Sequence, residues 1–286
     1  MSRIVVGVDG STQADRALHW AVREAHLHAA EVELVHGYVI QVHGYIAGRT
    51  DRELAKDRLD AIIERNRALL DQVKWSDTLV GVVGTLSGAL TDVGEDAELI
   101  VVGSRGTDGF RGLTVGSTGY RTAAHASTPV AVIHGDQEAR AADGSRPVVV
   151  GVDGSRGSGR ALRWALDEAA RRGVDATVVH GYHSPAEPAA LAALSPEQIR
   201  VYRERAQHGA LDLVAKAITG VGGPGQVTVH QVAESGTPAG VLLAHAGPDR
   251  LLVVGTHGRG MLGRSMFGSV SHQVLHHATG PVVIVP

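Results

Sequence analysis

Residues 3–39 have the sequence RIVVGVDGSTQADRALHWAVREAHLHAAEVELVHGYV, and residues 147–183 have the sequence PVVVGVDGSRGSGRALRWALDEAARRGVDATVVHGYH. The two stretches align without gaps, and about half of the aligned positions are identical. Residues 97–134 and 249–286 align in the same way near the ends of the two copies. Because each copy has the length of a whole domain, the sequence predicts a duplicated domain rather than an array of short repeats.

Each copy alternates short apolar runs with segments of helical periodicity. The runs Val5–Val8 and Val148–Val152 are typical of strands buried on both faces of a parallel sheet. Ser11 and Ser155 are candidate N-caps for the helices that follow. The alternation predicts two tandem doubly wound α/β domains, each a five-stranded parallel sheet with flanking helices in a Rossmann-like arrangement.

The domain limits follow from the repeat. The two domains are expected at 1–138 and 146–286, and the polar stretch Asp136–Arg146 has the composition of a linker. In each domain the crossover after the second strand is predicted to be one long amphipathic helix, at 51–73 and at 196–218.

Composition limits the class of function. The chain has 286 residues, a formal net charge of −3, 43% apolar residues and 20% charged residues, which is typical of a globular protein. Basic and acidic residues are interleaved, so neither a nucleic-acid surface nor a membrane-binding stripe is expected. The absence of cysteine excludes disulfides, thiolate metal sites and cysteine nucleophiles. No apolar run has the length of a signal-peptide core or a membrane helix, and a cytoplasmic location is expected.

A glycine-rich loop follows the fourth predicted strand of each copy. The first copy has Gly103-Ser104-Arg105-Gly106, nine further residues and then Gly116-Ser117-Thr118. The second has Gly255-Thr256-His257-Gly258, nine further residues and then Gly268-Ser269-Val270. Glycines let backbone N–H groups approach a polyphosphate, and the Gly-Ser step would open a helix whose free N–H groups favour an anion. The loops therefore predict phosphate binding, with plain βα turns as the alternative.

This Gly-x2-Gly-x9-Gly-(Ser/Thr) spacing, with the earlier Val-Gly-Val-Asp-Gly-Ser, resembles the ATP-binding branch of the universal stress protein family over essentially the whole chain, twice. The resemblance implies an adenine nucleotide alpha-hydrolase-like fold and ATP as ligand, with Mg²⁺ able to accompany the phosphates. In that family the aspartate ending strand one lies against the nucleoside, the residue after the strand-two histidine offers its backbone to adenine, and the glycine loop holds ribose and phosphates. The implied binding residues are Gly7, Asp9, Gly37, Gly103, Arg105, Gly106, Gly116, Ser117 and Thr118 in the first copy, and Gly151, Asp153, Gly181, Gly255, His257, Gly258, Gly268, Ser269 and Val270 in the second.

Two questions stay open at the sequence level. A carboxylate at a strand end suits a ribose hydroxyl or an adenine amino group, and the alternative is that Asp9 and Asp153 are N-cap or turn residues. The first copy also has Asp108 in its glycine loop, where the second has Gly260. An acid repels phosphate, so the first copy is expected to bind ATP more weakly or to depend more on Mg²⁺.

Other nucleotide and metal motifs are not supported. The chain has no Gly-x4-Gly-Lys-Ser/Thr, which excludes a P-loop. The Gly258-x-Gly260-x-x-Gly263 spacing follows strand four and is missing from the first copy, which disfavours a dinucleotide site. His272 and His276 could share a helix face, but no acidic residue accompanies them, so no metal site is predicted.

The function predicted is nucleotide-dependent regulation in a stress or growth-state response. No residue has the features of a committed general base, so the protein is expected not to be an enzyme, with at most slow ATP hydrolysis. The alternatives are a phosphoryl- or adenylyl-transfer enzyme and a nucleotide-free interaction protein. A homodimer and an unidentified protein partner are the expected associations, with no nucleic acid and no membrane.

Overall fold

The computed structural model describes residues 2–40, 45–46, 49–83, 85–106, 115–135, 146–183, 194–258 and 267–286. The chain divides into two compact units. The first consists of Met1–Gly144 with Thr279–Ile284 and Pro286, and the second of Ser145–Ala278 with Val285. Most of the predicted linker, residues 136–145, lies outside the described residues.

The first unit contains five parallel strands, which follow one another along the chain as the sequence predicted. Along the sheet the order is β7, β6, β1, β2, β5, and each neighbouring pair is parallel. The chain therefore moves outward from β1 on one side and returns to β6 on the other, so the strand order reverses between β1 and β6. The elements are β1 (Arg3–Gly7), α1 (Thr12–His28), β2 (Glu31–Val39), the hairpin β3 (Tyr45–Ile46) and β4 (Arg49–Thr50), α2 (Asp51–Arg65), α3 (Arg67–Leu70), β5 (Trp75–Val82), α4 (Leu86–Val93), β6 (Leu99–Gly103), α5 (Ser117–His125) and β7 (Val130–Ile133).

The core of this unit is built from the apolar strand runs and the buried face of α1. Ile4, Val5 and Val6 of the central strand are fully buried, and Trp20 of α1 is 1% exposed. Helix α1 begins where the Ser11 hydroxyl accepts a hydrogen bond from the Ala14 N–H at 3.1 Å, so the predicted N-cap is confirmed.

The predicted helix over 51–73 is interrupted. Helix α2 ends at Arg65, and the short helix α3 begins at Arg67. Between them Asn66 donates its side-chain N–H to the Ile62 carbonyl at 2.9 Å, an interaction by which a short polar side chain competes with the helical backbone. Prediction of a single continuous helix was therefore wrong at this residue.

The second unit repeats the pattern with strands β11, β8, β9 and β10 adjacent in that order and parallel. Its first helix is capped by Ser155, whose hydroxyl accepts from the Ser158 N–H at 3.1 Å, which confirms the second predicted N-cap. The predicted α/β class with parallel strands and flanking helices is confirmed. The remaining elements of the chain are β8 (Val148–Gly151), α6 (Arg156–Arg172), β9 (Ala176–Tyr182), α7 (Pro196–Gly220), β10 (Val229–Ser235), α8 (Pro238–His245), β11 (Leu251–Gly255), α9 (Ser269–His277) and β12 (Val282–Val285), most of which belongs to the first compact unit.

Within the described part of the chain, every helix is too short or too polar to cross a membrane.

Candidate functional site

A cavity of about 590 Å³ opens in the first unit at the carboxyl ends of β1 and β6, where the strand order reverses. This volume lies within the range of small-molecule sites, and the position is the one at which doubly wound sheets bind ligands. The structure brings together on its wall all nine residues that the sequence singled out in the first copy, namely Gly7, Asp9, Gly37, Gly103, Arg105, Gly106, Gly116, Ser117 and Thr118. Their roles in binding stay predictions.

Asp9 has a structural role that the sequence had left open. Its Oδ1 accepts a hydrogen bond from the Ser11 N–H at 2.9 Å, which closes the turn into α1. Its other oxygen faces the glycine loop so closely that a Cβ atom at Gly106 would overlap Oδ2. The carboxylate therefore belongs to a turn and to the cavity wall at once.

Gly103 is needed for packing. A Cβ atom at this residue would lie 2.8 Å from the Gln13 carbonyl carbon, so only glycine lets the end of β6 approach the first turn of α1. The sequence had suggested phosphate approach or a plain βα turn for this glycine, and not a packing contact with α1. Gly116 is different, because a Cβ there would have its nearest neighbour, the Arg105 Cα, at an ordinary 3.6 Å.

The start of α5 supplies backbone donors. Gly116 is the N-cap residue, and its N–H donates to the Ser104 carbonyl at 2.6 Å, which closes the loop against the helix. No side chain caps this nine-residue helix. Since the first N–H groups of a helix have no intrahelical partner and lie at the positive end of its dipole, this end of the cavity favours an anionic group.

Another part of the cavity lining is apolar. His36 is 4% exposed, and its Nδ1–H donates to the Val8 carbonyl at 2.7 Å, which ties the end of β2 to that of β1. A Cβ atom at the next residue, Gly37, would lie 2.6 Å from the Leu86 Cδ2. Leu86 and Val102 also line the cavity. An apolar slot with backbone groups at its edge suits a flat heterocycle.

Three arginines line the same cavity, and the sequence had singled out only one of them. Arg105 lies in the glycine loop, Arg58 on α2 and Arg121 on α5. Asp9 is the one acidic side chain among the described lining residues. Arg121 carried a sequence signal, since it lies four residues after Ser117 and so on the same helix face. Arg58 had no such signal in the sequence, because its helix contains several arginines and nothing in the sequence distinguishes the one that reaches the cavity.

The second unit repeats these local contacts. The Asp153 Oδ1 accepts from the Ser155 N–H at 2.9 Å, and a Cβ atom at Gly258 would lie 2.6 Å from the Asp153 Oδ2. The Gly268 N–H donates to the Thr256 carbonyl at 2.8 Å, and α9 begins at the next residue.

The remaining glycines of the second copy make close contacts like those of the first. A Cβ atom would lie 2.9 Å from the Leu242 Cδ1 at Gly151, 2.7 Å from the Pro238 Cα at Gly181 and 2.9 Å from the Gly157 carbonyl carbon at Gly255. His180 bonds the Val152 carbonyl at 2.7 Å, as His36 bonds that of Val8.

The charges of the two copies differ. In the alignment of residues 97–134 with 249–286, His257 replaces Arg105, Val270 replaces Thr118 and Gln273 replaces Arg121. The His257 Nδ1 lies 2.9 Å from the Thr256 Oγ1, and its Nε2 is buried with no hydrogen-bond partner among the described atoms. Asp108 and Gly260, on which the sequence had based a difference in affinity, lie outside the described residues.

The histidines of α9 form a close pair. The rings of His272 and His276 are 4.6 Å apart between centroids. Burial, followed by the proximity of His272 and His277, lowers the pKa of His276 from its ordinary value of 6.5. The ring of His276 is therefore neutral near pH 7.

The fold and the cavity define a tandem α/β protein with a cavity at the strand ends of its first unit. The model of the universal stress protein family matches residues 1–134 and 144–286, so the chain belongs to the universal stress protein family, with two domains in tandem. It is 34% identical to a universal stress protein of Mycolicibacterium smegmatis, over 99% of this chain and 96% of that protein. It is 30% identical to universal stress protein Rv2005c of Mycobacterium tuberculosis, over 98% and 96%. A universal stress protein from Archaeoglobus fulgidus has the same fold, with a TM-score of 0.69, 18% identity and coverage of 99% and 97%.

Proposed function

We propose that the protein binds ATP at the strand-end cavity of its first unit and at the matching residues of its second, and that occupancy regulates a stress or growth-state response. Membership of the universal stress protein family supports this class of function. The single observation that carries the proposal is the mixed lining of one cavity. Apolar side chains such as Leu86 and Val102 line it together with an uncapped helix start and the backbone of the glycine loop.

Each part of the ligand has a matching surface. Adenine fits the slot beside Gly37 and Leu86, where backbone groups are held in place by the His36 hydrogen bond. The ribose lies near Asp9, whose second carboxylate oxygen faces the loop. The phosphates lie at the start of α5.

The cavity has no group arranged for fast chemistry among its described lining residues. His36, the one histidine there, is buried and donates its Nδ1–H to a carbonyl. Asp9 is engaged in a turn and would contact the nucleoside rather than the phosphates. We therefore propose a regulator with at most slow hydrolysis, rather than an enzyme. Mg²⁺ would enter with the phosphates, since these oxygens are its usual ligands.

Regulation requires a protein that distinguishes the nucleotide-bound state from the nucleotide-free state. We propose a cytoplasmic protein that acts as a homodimer or through a protein partner, whose choice depends on the nucleotide. A partner that tells the two states apart must bind them with different affinity.

The decisive experiment is to identify the nucleotide that co-purifies with the protein. The full chain is denatured after extensive gel filtration, and the released small molecules are identified and counted by liquid chromatography and mass spectrometry. Between one and two adenine nucleotides per chain are expected. An apo preparation that also binds no added ATP, ADP or AMP in calorimetry would favour the nucleotide-free alternative, and rapid transfer to an acceptor would favour the enzyme.

A matched pair of variants assigns the nucleotide to the cavity. Gly116→Val places methyl groups on the cavity wall at a position where the backbone accepts a Cβ atom. Gly88→Val is the control, because Gly88 lies in the same unit, a Cβ atom there would have its nearest neighbour, the Thr85 Oγ1, at an ordinary 3.7 Å, and Gly88 does not line the cavity. Loss of about half of the bound nucleotide in the first variant only is expected, with both proteins folded by circular dichroism. Equal occupancy in the two variants would contradict the assignment.

A further inference from the structure

The arginines around the first unit's cavity differ from two arginines near the end of α2, which form salt bridges. Arg65 pairs with Asp15 at 2.8 Å, and Arg67 pairs with Glu64 at 3.5 Å. Arg58, about two turns earlier on the same helix as Arg65, makes no salt bridge with any described residue, and the same holds for Arg105 and Arg121.

Three separate elements bring these cations to one cavity. Arg58 is on α2, Arg105 is in the loop after β6, and Arg121 is in the second turn of α5. Long side chains on a helix point back toward its N-terminus, so the Arg121 guanidinium covers the turn that begins at Ser117. It therefore adds a full positive charge beside the backbone donors of the helix start.

We propose that Arg58, Arg105 and Arg121 form an arginine clamp that makes the first unit's cavity selective for a polyphosphate chain over a monophosphate. This rests on the proposed function and specifies its ligand. Guanidinium groups bind phosphate oxygens through paired, charge-assisted hydrogen bonds. Three of them against the single carboxylate of Asp9 leave the described lining with a surplus of positive charge. A triphosphate carries enough negative charge to neutralise that surplus, whereas a monophosphate neutralises only part of it.

The second copy provides an internal comparison, because it keeps the glycine loop and changes the charges. Histidine stands at the position of Arg105, and Gln273 stands at that of Arg121. Glutamine offers hydrogen bonds without charge, and histidine lacks the planar fork of five N–H donors with which a guanidinium group pairs with phosphate oxygens. The second copy therefore binds the nucleoside and discriminates less between one phosphate and three.

This assignment reverses the expectation that the sequence alone had given. Asp108 predicted that the first copy would be the weaker site for ATP, but that residue lies outside the described part of the chain. The described residues contribute cations to the same cavity. Their charge also replaces part of the role of Mg²⁺, so ATP binding at the first site is expected to persist in EDTA.

The test compares ligands that differ only in phosphate number. Calorimetry in EDTA measures the affinities of ATP, AMP and inorganic tripolyphosphate for the full-length wild type and for Arg58→Gln and Arg121→Gln, and native mass spectrometry counts the bound ligands. Arg52→Gln is the control, since Arg52 lies on the same helix as Arg58, is exposed and does not line the cavity. Each clamp variant should weaken one ATP site about three- to tenfold, the range between an exposed ion pair and a charge-assisted hydrogen bond, and should weaken AMP less than twofold. Gln273→Arg should strengthen ATP binding at the second site.

Each outcome has one meaning. Selective loss of ATP and tripolyphosphate in the clamp variants, with Arg52→Gln unchanged, supports the clamp. Equal loss of ATP and AMP, or no loss of either, overturns it while the proposed nucleotide site stands. If the wild type binds tripolyphosphate and no nucleotide, the clamp is retained and the proposed ATP function fails. If it binds none of the three, both fail.

Discussion

Replacing Gly103 by alanine should destabilise the first unit even when no ligand is present. The new methyl group would lie 2.8 Å from both the carbonyl carbon and the carbonyl oxygen of Gln13, and 3.0 Å from its Cβ. Two of these atoms are backbone atoms of a capped helix turn, so relief requires α1 or the end of β6 to move. Overpacking of this kind costs about 1–3 kcal/mol of unfolding free energy.

Gly116→Ala is the matched control, because it makes the same substitution in the same loop region. Its methyl group would have the nearest neighbour at 3.6 Å, and the φ of Gly116 is −74°, which alanine adopts without strain. Replacing a favourable N-cap glycine by alanine costs about 0.5–1 kcal/mol, and the smaller conformational entropy of the unfolded chain returns about 0.4–1 kcal/mol. The net change should stay within about 0.5 kcal/mol of zero.

Urea unfolding of the ligand-free protein, followed by circular dichroism and tryptophan fluorescence, separates the two variants. Because two compact units need not unfold together, the transition that includes Trp20 is the one to compare. A Gly103→Ala protein as stable as Gly116→Ala would refute the packing argument. In that case the first glycine of the motif would have no structural role beyond the ligand.

Three further predictions concern separate contacts. His36→Phe should lower the free energy of unfolding by about 1–3 kcal/mol in urea, because it leaves the buried Val8 carbonyl without its donor, and an unchanged midpoint would argue against that hydrogen bond. Ser11→Ala should cost about 1 kcal/mol through loss of the α1 N-cap, whereas Ser11→Asp should restore most of it in the same measurement. In an NMR titration His276 should lose its proton with a midpoint below 6.5; because this pKa is depressed on folding, its contribution to stability is present above pH 6.5 and declines as the pH falls through the folded pKa. A midpoint at or above 6.5 would contradict the burial of this ring.

The sequence predicted the parts of the fold that depend on local patterns. Valine runs such as Val148–Val152 can hardly form anything but buried strands, and Ser11 precedes a helical periodicity with little ambiguity. The hairpin β3–β4 was missed, because its two-residue strands are too short to show an alternation. Asn66 was missed for another reason. The periodicity runs through it, and the break depends on its contacts with Ile62 and with Asp15 of α1, at 2.9 and 3.3 Å.

The glycine-loop residues of the candidate site could be predicted from the sequence, whereas the residues that reach the cavity from the helices could not. Residues of the glycine motif lie within one short stretch of the chain, so their spacing alone indicated that they come together in one loop. Arg52, Arg58 and Arg65 are alike in the sequence, and only the packing of α2 against the sheet decides that Arg58 reaches the cavity. The packing role of Gly103 also needed the structure, since its contact with Gln13 joins residues 90 positions apart.

The close approach of Gly103 to Gln13 limits how the glycine loop can respond to a ligand. With backbone atoms already near contact on the α1 side, the start of the loop cannot move toward that helix without displacing it. A shift of the loop's first residue toward α1 would therefore also move the first turn of that helix. In this direction the loop and the helix are mechanically coupled through the close approach of Gly103 to Gln13.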